Sequence, residues 1–410
     1  MEIRPILSAL LRNKTGAILV ALQVALSLAI LANAVHIVSE RRAAAARPSG
    51  IADEMSVFTI SVSHLSSDSP EQQLATMKRE SELLRAVPGV AAVAQINQMP
   101  MSQSGWNNSV ALDRRQTDES SPSSSYFSPD SLVKTWGLKI IEGRDFLPGE
   151  SQDIDVNKNE EPRVVILAKA LAEKLWPGQS AVGKTMYFGT GESAIEVRVV
   201  GVVERLQSHG AEVSARGELS SIAPVRLYGS NQAYTFTIRA EPGQRDRVIR
   251  EAEAALRKAS ATPVILETFT IERVRKSRYR ADMALSWMLV TVSVLLLLIT
   301  ASGIVGMASL WVTQRRKQIG VRRALGARKV DILRYFLTEN FLITSAGVFG
   351  GVLLGVGLNQ LLVSKLEMAR LPLGYLGGGA ILLWALGVLA VYGPAWRAAS
   401  TSPALATRST

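Results

Sequence analysis

Apolar residues along this chain are gathered into four long runs instead of being spread evenly. The runs cover residues 16–38, 285–312, 341–363 and 376–392, and the last one is short. Because a helix needs about 20 apolar residues to cross the core of a bilayer, each run predicts a transmembrane helix. A cleavable signal peptide is the alternative for the first run, since Ala32-Asn33-Ala34 resembles a cleavage site, but the run exceeds the usual ~7–15 residues of such a signal.

Residues 39–284, between the first and second runs, have the patterning of a soluble domain. Two similar strand–helix–strand units, at residues 51–112 and 229–270, flank an inserted subdomain at residues 126–228. Such units pack a sheet against helices on one face. The predicted fold class is therefore a membrane protein with four transmembrane α-helices and a large α+β domain between the first and second helix.

The inserted subdomain is expected to contain shorter strands around residues 129–136, 164–167 and 197–203. Just before it, residues 113–125 are rich in serine and charged side chains, a composition that predicts a mobile loop. Neither region holds an apolar run of membrane-spanning length.

Lysine and arginine are distributed unevenly between the segments that connect the four runs. The basic segments are an amphipathic start at residues 1–15, the connection at residues 313–340 and the tail at residues 393–410. Together they hold thirteen lysines and arginines against three acidic residues, Glu2, Asp331 and Glu339. Short basic connections stay in the cytoplasm, so both termini are predicted to be cytoplasmic. Residues 39–284 and the short loop 364–375 then lie outside.

Composition excludes several classes of function. The three basic segments account for ten of the eleven net positive charges of the chain, so no nucleic-acid partner is predicted. The chain has no cysteine, which excludes disulfides, thiolate metal sites and a cysteine nucleophile. His36, His64 and His209 lie far apart, without the spacing of metal ligands. We therefore expect no cofactor, no metal and no catalytic site in this chain.

One segment matches the phosphate-loop pattern G-x-x-x-x-G-K-[ST], at residues 178–185. In a true phosphate loop this motif follows a strand and opens a helix, so that the phosphate meets the positive amino end of the helix. Here the sequence predicts a helix before the motif, at residues 167–175, and strands after it, at residues 186–188 and 197–203. The motif is therefore interpreted as a turn and not as a nucleotide site.

Small residues recur every four positions in two of the predicted spans. They are Gly347, Gly351 and Gly355 in the third span and Ala21, Ala25 and Ala29 in the first. Stripes of this kind let helices approach each other closely in membranes. All six are candidate helix-packing residues, either within one chain or between subunits.

The connection between the second and third spans carries the most informative motif. Residues 314–333 alternate basic and apolar positions, with too many apolar residues for a solvated loop. They predict a short helix that buries Ile319, Val321 and Leu325 in the cleft of a partner. Arg315, nearer the membrane edge, is expected to form an exposed ion pair worth about 0–1 kcal/mol. The candidate coupling residues are Gln318, Ile319, Gly320, Val321, Arg322, Arg323, Ala324, Leu325, Gly326 and Ala327.

At these residues the chain resembles the permeases of the MacB/FtsX-like ABC transporter family. In that family a motif of the form R-R-[RK]-E-I-G-[IV]-R-R-A-L-G-A follows the second span, and residues 315–327 read RRKQIGVRRALGA. Gln318 stands where the family motif has Glu, which removes one negative charge. Further segments that resemble the family are residues 137–146, 175–184, 200–203, 336–340 and 394–403.

The resemblance implies a stand-alone permease with a MacB-type periplasmic core domain, placed in a bacterial inner membrane and paired with a second permease copy as a homodimer or heterodimer. ATP hydrolysis is expected in a separate ABC ATPase subunit, on which residues 318–327 dock to transmit its motion. Export with a periplasmic adaptor and an outer-membrane channel is the first expectation. Lipoprotein extraction or FtsX-like control of cell-wall hydrolases is the alternative.

Overall fold

The computed structural model describes residues 14–65, 69–158, 162–230, 233–366 and 369–400. The chain divides into two compact units. A helical unit contains the residues up to Arg42 and those from Asp282 onward, and a β-rich unit contains Ala43–Ala281. Most of the predicted start at residues 1–15, and the end of the predicted tail at residues 393–410, lie outside the described residues.

The bounds of the elements follow the chain in order. The helices are α1 (Lys14–Ala45), α2 (Pro70–Arg85), α3 (Leu132–Trp136), α4 (Lys169–Leu175), α5 (Arg245–Ala259), α6 (Ile271–Gln314), α7 (Arg316–Ala324), α8 (Lys329–Leu366) and α9 (Leu373–Ala399). The strands are β1 (Val57–His64), β2 (Val90–Ile96), β3 (Asn107–Ala111), β4 (Ser121–Phe127), β5 (Ile140–Gly143), β6 (Gln152–Asp155), β7 (Val164–Ala168), β8 (Thr185–Phe188), β9 (Ile195–Val203), β10 (Ser220–Ala223), β11 (Val225–Tyr228), β12 (Tyr234–Ala240) and β13 (Val264–Thr270).

Four of the helices, α1, α6, α8 and α9, are long and apolar enough to cross a membrane. Each is longer than the apolar run that predicted it. Helix α6 has 44 residues, or about 66 Å at 1.5 Å per residue, roughly twice the thickness of a bilayer core. Helix α9 continues through Pro394 to Ala399, although the sequence pattern ended its span at residue 392. A proline inside a membrane helix is tolerated when neighbouring groups satisfy the freed backbone carbonyl.

The two strand–helix–strand units of the β-rich unit combine into one antiparallel sheet, with the strand order β13-β1-β12-β2. Strands β1 and β12 pair at its centre, where Ile60 lies opposite Phe236. Leu84 of α2 and Val248 of α5 are buried in the same core as these two residues. Two segments that are far apart in the sequence therefore build a single sheet with a shared core.

Strands of the inserted subdomain, together with β3 and β4, which begin before residue 126, form a second sheet in the order β5-β9-β7-β10-β4-β3-β8. Strand β8 also pairs with β9, so six strands close into a ring and β5 lies at its edge. Val165, Val197 and Met186 are among the side chains that fill the core of this subdomain. Strands β6 and β11 pair with each other in parallel as a separate ribbon.

Two predictions for this region are wrong. The prediction of a mobile loop at residues 113–125 is wrong for residues 121–125, which begin strand β4 and whose serines are buried; the hydroxyls of Ser123 and Ser221 lie 2.9 Å apart. A polar strand is buried without penalty when its hydroxyls bond to one another across the sheet. Residues 129–136, predicted as a strand, instead contain helix α3, which Ser131 caps with its side chain.

Candidate functional site

The connection between α6 and α8 is mostly helical. Arg315 alone separates the end of α6 from the start of α7. After α7 the backbone N–H of Gly326 donates to the carbonyl oxygen of Arg323 at 3.2 Å, and the φ of Gly326 is 97°. Glycine adopts a positive φ without steric cost, so Gly326 ends the helix and turns the chain into α8.

One face of α7 is buried within the helical unit. Ile319 is 7% exposed and belongs to the same apolar core as Ile332 and Phe336 of α8. Gly320 beside it is also buried. The prediction that Ile319 enters a partner's cleft is therefore wrong, because the side chain is already packed in its own chain. Ile319 instead anchors α7 to α8.

Two aliphatic side chains of the same segment are exposed. Val321 is 52% exposed and Leu325 is 82% exposed, and residues four apart lie on one side of a helix. Val330, in the first turn of α8, is 51% exposed. We call Val321, Leu325 and Val330, which lie within ten residues of one another along the chain, the apolar patch. Exposed aliphatic side chains that form a contiguous surface are typical of protein interaction sites.

The remaining candidate residues divide between these two environments. Gln318, Ala324 and Gly326 are exposed, whereas Arg323 and Ala327 are half-buried. Because Gln318 is exposed, its replacement of the family's Glu changes the charge of the surface and not the packing of α7. The exposed basic residues of the segment are Arg316, Lys317, Arg322, Arg328 and Lys329. The residues that flank the apolar patch in the sequence are therefore strongly positive.

A buried ion pair fixes the start of the connection. Arg315 Nη1 lies 2.8 Å from Glu339 Oε2, and the side chains of the two residues are 16% and 1% exposed. The same guanidinium group donates to the hydroxyl of Tyr335 at 3.3 Å. The expectation that Arg315 forms an exposed and weak pair is therefore wrong. Its partner lies on α8, beyond the motif at residues 315–327.

Tyr335 links this ion pair to the exposed side of α7. The guanidinium group of Arg322 lies 5.2 Å from the centre of the Tyr335 ring, and that of Arg315 lies 5.9 Å from it. Cations at these distances are attracted by the face of an aromatic ring. Tyr335 and Glu339 are the functional candidates that sequence reasoning missed. The signal for both was a tyrosine and an acidic residue just before an apolar run that follows a basic motif.

The small-residue stripes of α1 and α8 face each other within one chain. A Cβ atom added to Gly347 would lie 2.7 Å from the carbonyl oxygen of Ala21, and one added to Gly351 would lie 2.9 Å from that of Ala25. A Cβ on Gly355 would lie 3.4 Å from the Cα of Ala29 and 3.0 Å from Leu376. There is no room for a side chain at the first two positions. The stripes therefore bring two helix backbones of the same subunit together.

Polar side chains add further contacts to α1. The hydroxyls of Ser27 and Thr300 lie 2.7 Å apart, which ties α1 to α6. Asn33 Nδ2 donates to the carbonyl oxygen of Gly355 on α8 at 3.1 Å. Over its most apolar stretch α1 is 56% buried inside the chain, against 17% for α6. Helix α1 is thus an inner helix, whereas α6 leaves most of its apolar side chains uncovered by its own chain.

The segment with the phosphate-loop pattern has a different geometry from a phosphate site. Helix α4 ends at Leu175 before it, and strand β8 begins at Thr185 after it. Lys184 Nζ donates to Gln179 Oε1 at 2.7 Å and lies 5.2 Å from the centre of the Trp176 ring. The lysine is therefore occupied by local contacts, and no helix opens at the motif to receive a phosphate.

Two histidines of the β-rich unit are held by hydrogen bonds. His64 Nε2 lies 3.0 Å from Glu80 Oε1 and 3.0 Å from the Tyr234 hydroxyl. His209 Nδ1 lies 2.8 Å from the Ser124 hydroxyl, and burial lowers the pKa of His209. Within the described residues, no group of three or more His, Asp or Glu side chains is arranged to hold a metal ion.

Two family models match the chain. Residues 290–403, which include α7 and the apolar patch, match the FtsX-like permease C-terminal model. Residues 18–255 match the MacB-like periplasmic core domain. Together they cover both the helical unit and most of the β-rich unit.

The curated relatives that match this chain include export ATP-binding/permease proteins. The macrolide export ATP-binding/permease protein MacB of Chromobacterium violaceum is 30% identical to this chain over 59% of the chain and 36% of its own length. The pyoverdine export ATP-binding/permease protein PvdT of Pseudomonas savastanoi pv. phaseolicola is 29% identical over 52% of the chain and 33% of its own length. This chain thus spans about a third of the length of these relatives.

A solved structure is more distant. The crystal structure of the periplasmic region of MacB from Actinobacillus actinomycetemcomitans aligns with a TM-score of 0.36 and 14% identity. The alignment covers 56% of this chain and 94% of that one. A likeness at this level carries no argument about function.

Proposed function

Because this chain belongs to the family of FtsX-like permeases with a MacB-like periplasmic core domain, we propose that it is the permease subunit of an ABC transporter in the bacterial inner membrane. In this proposal ATP is hydrolysed by a separate ABC ATPase subunit that docks on the connection between α6 and α8. The transporter carries out efflux, and the export proteins among the curated relatives support that assignment.

The observation that carries the proposal is the exposed apolar patch on a helix that is itself anchored. Leu325 is 82% exposed, while Ile319 and the Arg315–Glu339 pair hold α7 against α8. A flexible loop would absorb the motion of a docked partner. An anchored helix passes that motion on to α8, and the close contact of Gly347 and Gly351 with α1 passes it to the inner helix of the unit.

The proposed orientation places the connection in the cytoplasm. Its exposed basic residues, from Arg316 to Lys329, favour the cytoplasmic side. The β-rich unit, which lies between α1 and α6 in the sequence, is then periplasmic. Both termini are proposed to be cytoplasmic, and the ATPase meets the apolar patch from that side.

A second permease copy is proposed to pack on α6. This helix is covered least by its own chain, and its exposed side chains include Trp287, Val294, Leu295 and Leu298. ABC ATPases close as dimers on two permease surfaces, so a second apolar patch is part of the same proposal. On the periplasmic side, an adaptor and an outer-membrane channel complete the efflux path.

The first experiment replaces Leu325 with aspartate in the permease and measures co-purification of the co-expressed ABC ATPase. The charge should enter the partner's cleft without a counter-ion, and a central interface residue of this kind costs about 2 kcal/mol or more, equal to about a thirtyfold loss of affinity. Since Leu325 is exposed in the free chain, the variant should unfold at the same temperature as the parent.

Leu373→Asp is the matched control. Leu373 is 77% exposed and lies at the start of α9, in the segment predicted to be on the other side of the membrane. This variant should retain the ATPase. If Leu325→Asp also retains the ATPase at parental affinity, the proposed docking surface is wrong.

A further inference from the structure

A cleft of about 350 Å³ lies in the β-rich unit between the first sheet and the inserted subdomain. Residues 95–97 and Tyr234 line it from the first sheet, and Trp106 just before β3, Phe127 of β4 and residues 225–227 of β11 line it from the second sheet and the neighbouring ribbon. Its volume is at the lower end of the ~300–1,000 Å³ range typical of small-molecule sites. Neither the docking of an ATPase nor the pairing of permeases uses this cleft.

Aromatic and aliphatic side chains form much of its wall. Trp106 is 51% exposed, although large aromatic side chains are usually buried. Its ring meets that of Phe127 edge to face, with 6.1 Å between the ring centres. Val156, which also lines the cleft, is 41% exposed. A flat apolar ring is the ligand group that packs best against such a wall.

Arg226 supplies a buried cation at the cleft. It is 8% exposed, with its Nε donating to Gln95 Oε1 at 2.9 Å and its Nη1 donating to Asp153 Oδ1 at 2.7 Å. These bonds use two of the five N–H groups of the guanidinium. Lys78 also pairs with Asp153, at 2.5 Å. Asp153 thus pairs with two cations, Arg226 and Lys78.

The neighbouring polar groups of the cleft are already engaged. The Asn97 side chain donates to the carbonyl oxygen of Ser125 at 3.0 Å and accepts from the backbone N–H of Phe127 at 2.8 Å. The hydroxyl of Tyr234 donates to Glu80 at 2.7 Å. Among the described residues that line the cleft, Arg226 is the only one with a charged side chain, and its guanidinium matches the geometry of a carboxylate.

We propose that this cleft binds an amphipathic small molecule with a flat apolar ring system and a carboxylate. The ring packs against Trp106 and Phe127, and the carboxylate accepts hydrogen bonds from Arg226. This inference goes beyond the proposed function, because binding in the cleft requires neither an ATPase nor transport.

The absence of cysteine from the chain allows a direct test. A single Val156→Cys substitution places a thiol in the cleft of the full-length protein, and the rate of its modification by N-phenylmaleimide is measured in nanodiscs. Millimolar 2-naphthoate should slow the modification, and 2-naphthylmethanol, the neutral analogue, should be at least about tenfold less effective. Ser193→Cys, at an exposed position outside the cleft, should be modified at the same rate with or without either compound.

Two variants in the Val156→Cys background separate the contributions of the wall and of the cation. Trp106→Ala should weaken protection by both compounds about tenfold. Arg226→Gln should abolish the preference for 2-naphthoate, and a preference that persists also overturns the carboxylate assignment. Both variants are compared with the parent by thermal unfolding; Lys78 still pairs with Asp153 in Arg226→Gln, so the unfolding temperature should change little. Equal protection by the two compounds in the parent overturns the carboxylate assignment. No protection at millimolar concentration, or protection that Trp106→Ala leaves unchanged, overturns the site. Because no ATPase is present, either result leaves the proposed docking function untouched.

Discussion

Ile319 and Leu325 lie in one short segment, yet their environments are opposite. Ile319 is 7% exposed and packs with α8, whereas Leu325 is 82% exposed. The segment is therefore neither a solvated loop nor a free docking peptide. One side of α7 belongs to the core of the helical unit, and the other side is available to a partner.

This difference assigns the stability of the permease and its association with the ATPase to different side chains of the segment, to which the sequence pattern gave a single role. Substitutions on the anchored side should change the stability of the permease. Substitutions on the exposed side should change its association with the ATPase and leave its stability alone. Two variants probe the anchored side, and a matched substitution probes the exposed side.

The largest effect is expected from Arg315→Ala. Removal of the guanidinium leaves Glu339, whose side chain is 1% exposed, as a buried carboxylate without its ion pair, which costs about 3–5 kcal/mol in the free energy of unfolding. The measurement is thermal unfolding of the purified protein in detergent. The double variant with Glu339→Gln should recover part of this loss, because a neutral amide carries no buried charge.

An unchanged unfolding temperature for Arg315→Ala would contradict the buried ion pair. It would restore the expectation of an exposed pair worth about 0–1 kcal/mol. In that case α7 would be anchored by Ile319 alone.

A smaller effect is expected from Ile319→Ala. Loss of a buried isoleucine side chain leaves a cavity between α7 and α8, which costs about 2–5 kcal/mol. Val321→Ala, two residues away at an exposed position, should change the free energy of unfolding by less than about 0.5 kcal/mol. The two variants are compared in the same unfolding assay. Equal destabilisation by both would mean that α7 has no preferred anchored side.

The fold class was predicted correctly because a membrane span can be recognised from the composition of one continuous segment. About 20 apolar residues in a row identify a span without knowledge of any neighbour. The extension of α9 through Pro394 to Ala399 was missed because the prediction followed the apolar run, which ends at residue 392. Strand β4 was missed because its serines are paired with partners such as Ser221, 98 residues away along the chain.

The candidate site was predicted in part. The motif at residues 315–327 located the segment and its short helix, but the alternation of basic and apolar residues gave Ile319 and Leu325 the same role. Ile319 is buried and Leu325 is not because Ile319 packs in one core with Ile332 and Phe336 of α8. The glycine and alanine stripes identified small faces but not their partners, and the structure brings the two stripes together. The motif at residues 178–185 matches a phosphate-loop pattern, but the helix before it and the strand after it exclude a phosphate site.

The most direct test of ATPase docking compares the two sides of α7 in the assembled transporter. Leu325→Cys and Ile319→Cys, each the single cysteine of the chain, are labelled with a benzophenone maleimide, and after irradiation the adduct with the ABC ATPase is quantified against the amount of label attached. If the exposed side of an anchored α7 is the docking surface, a strong ATPase adduct is expected from position 325 and little or none from position 319. An adduct from position 319 as strong as that from 325, or no adduct from 325 in a complex that retains its ATPase, would contradict the proposal that the exposed side of an anchored α7 is the docking surface.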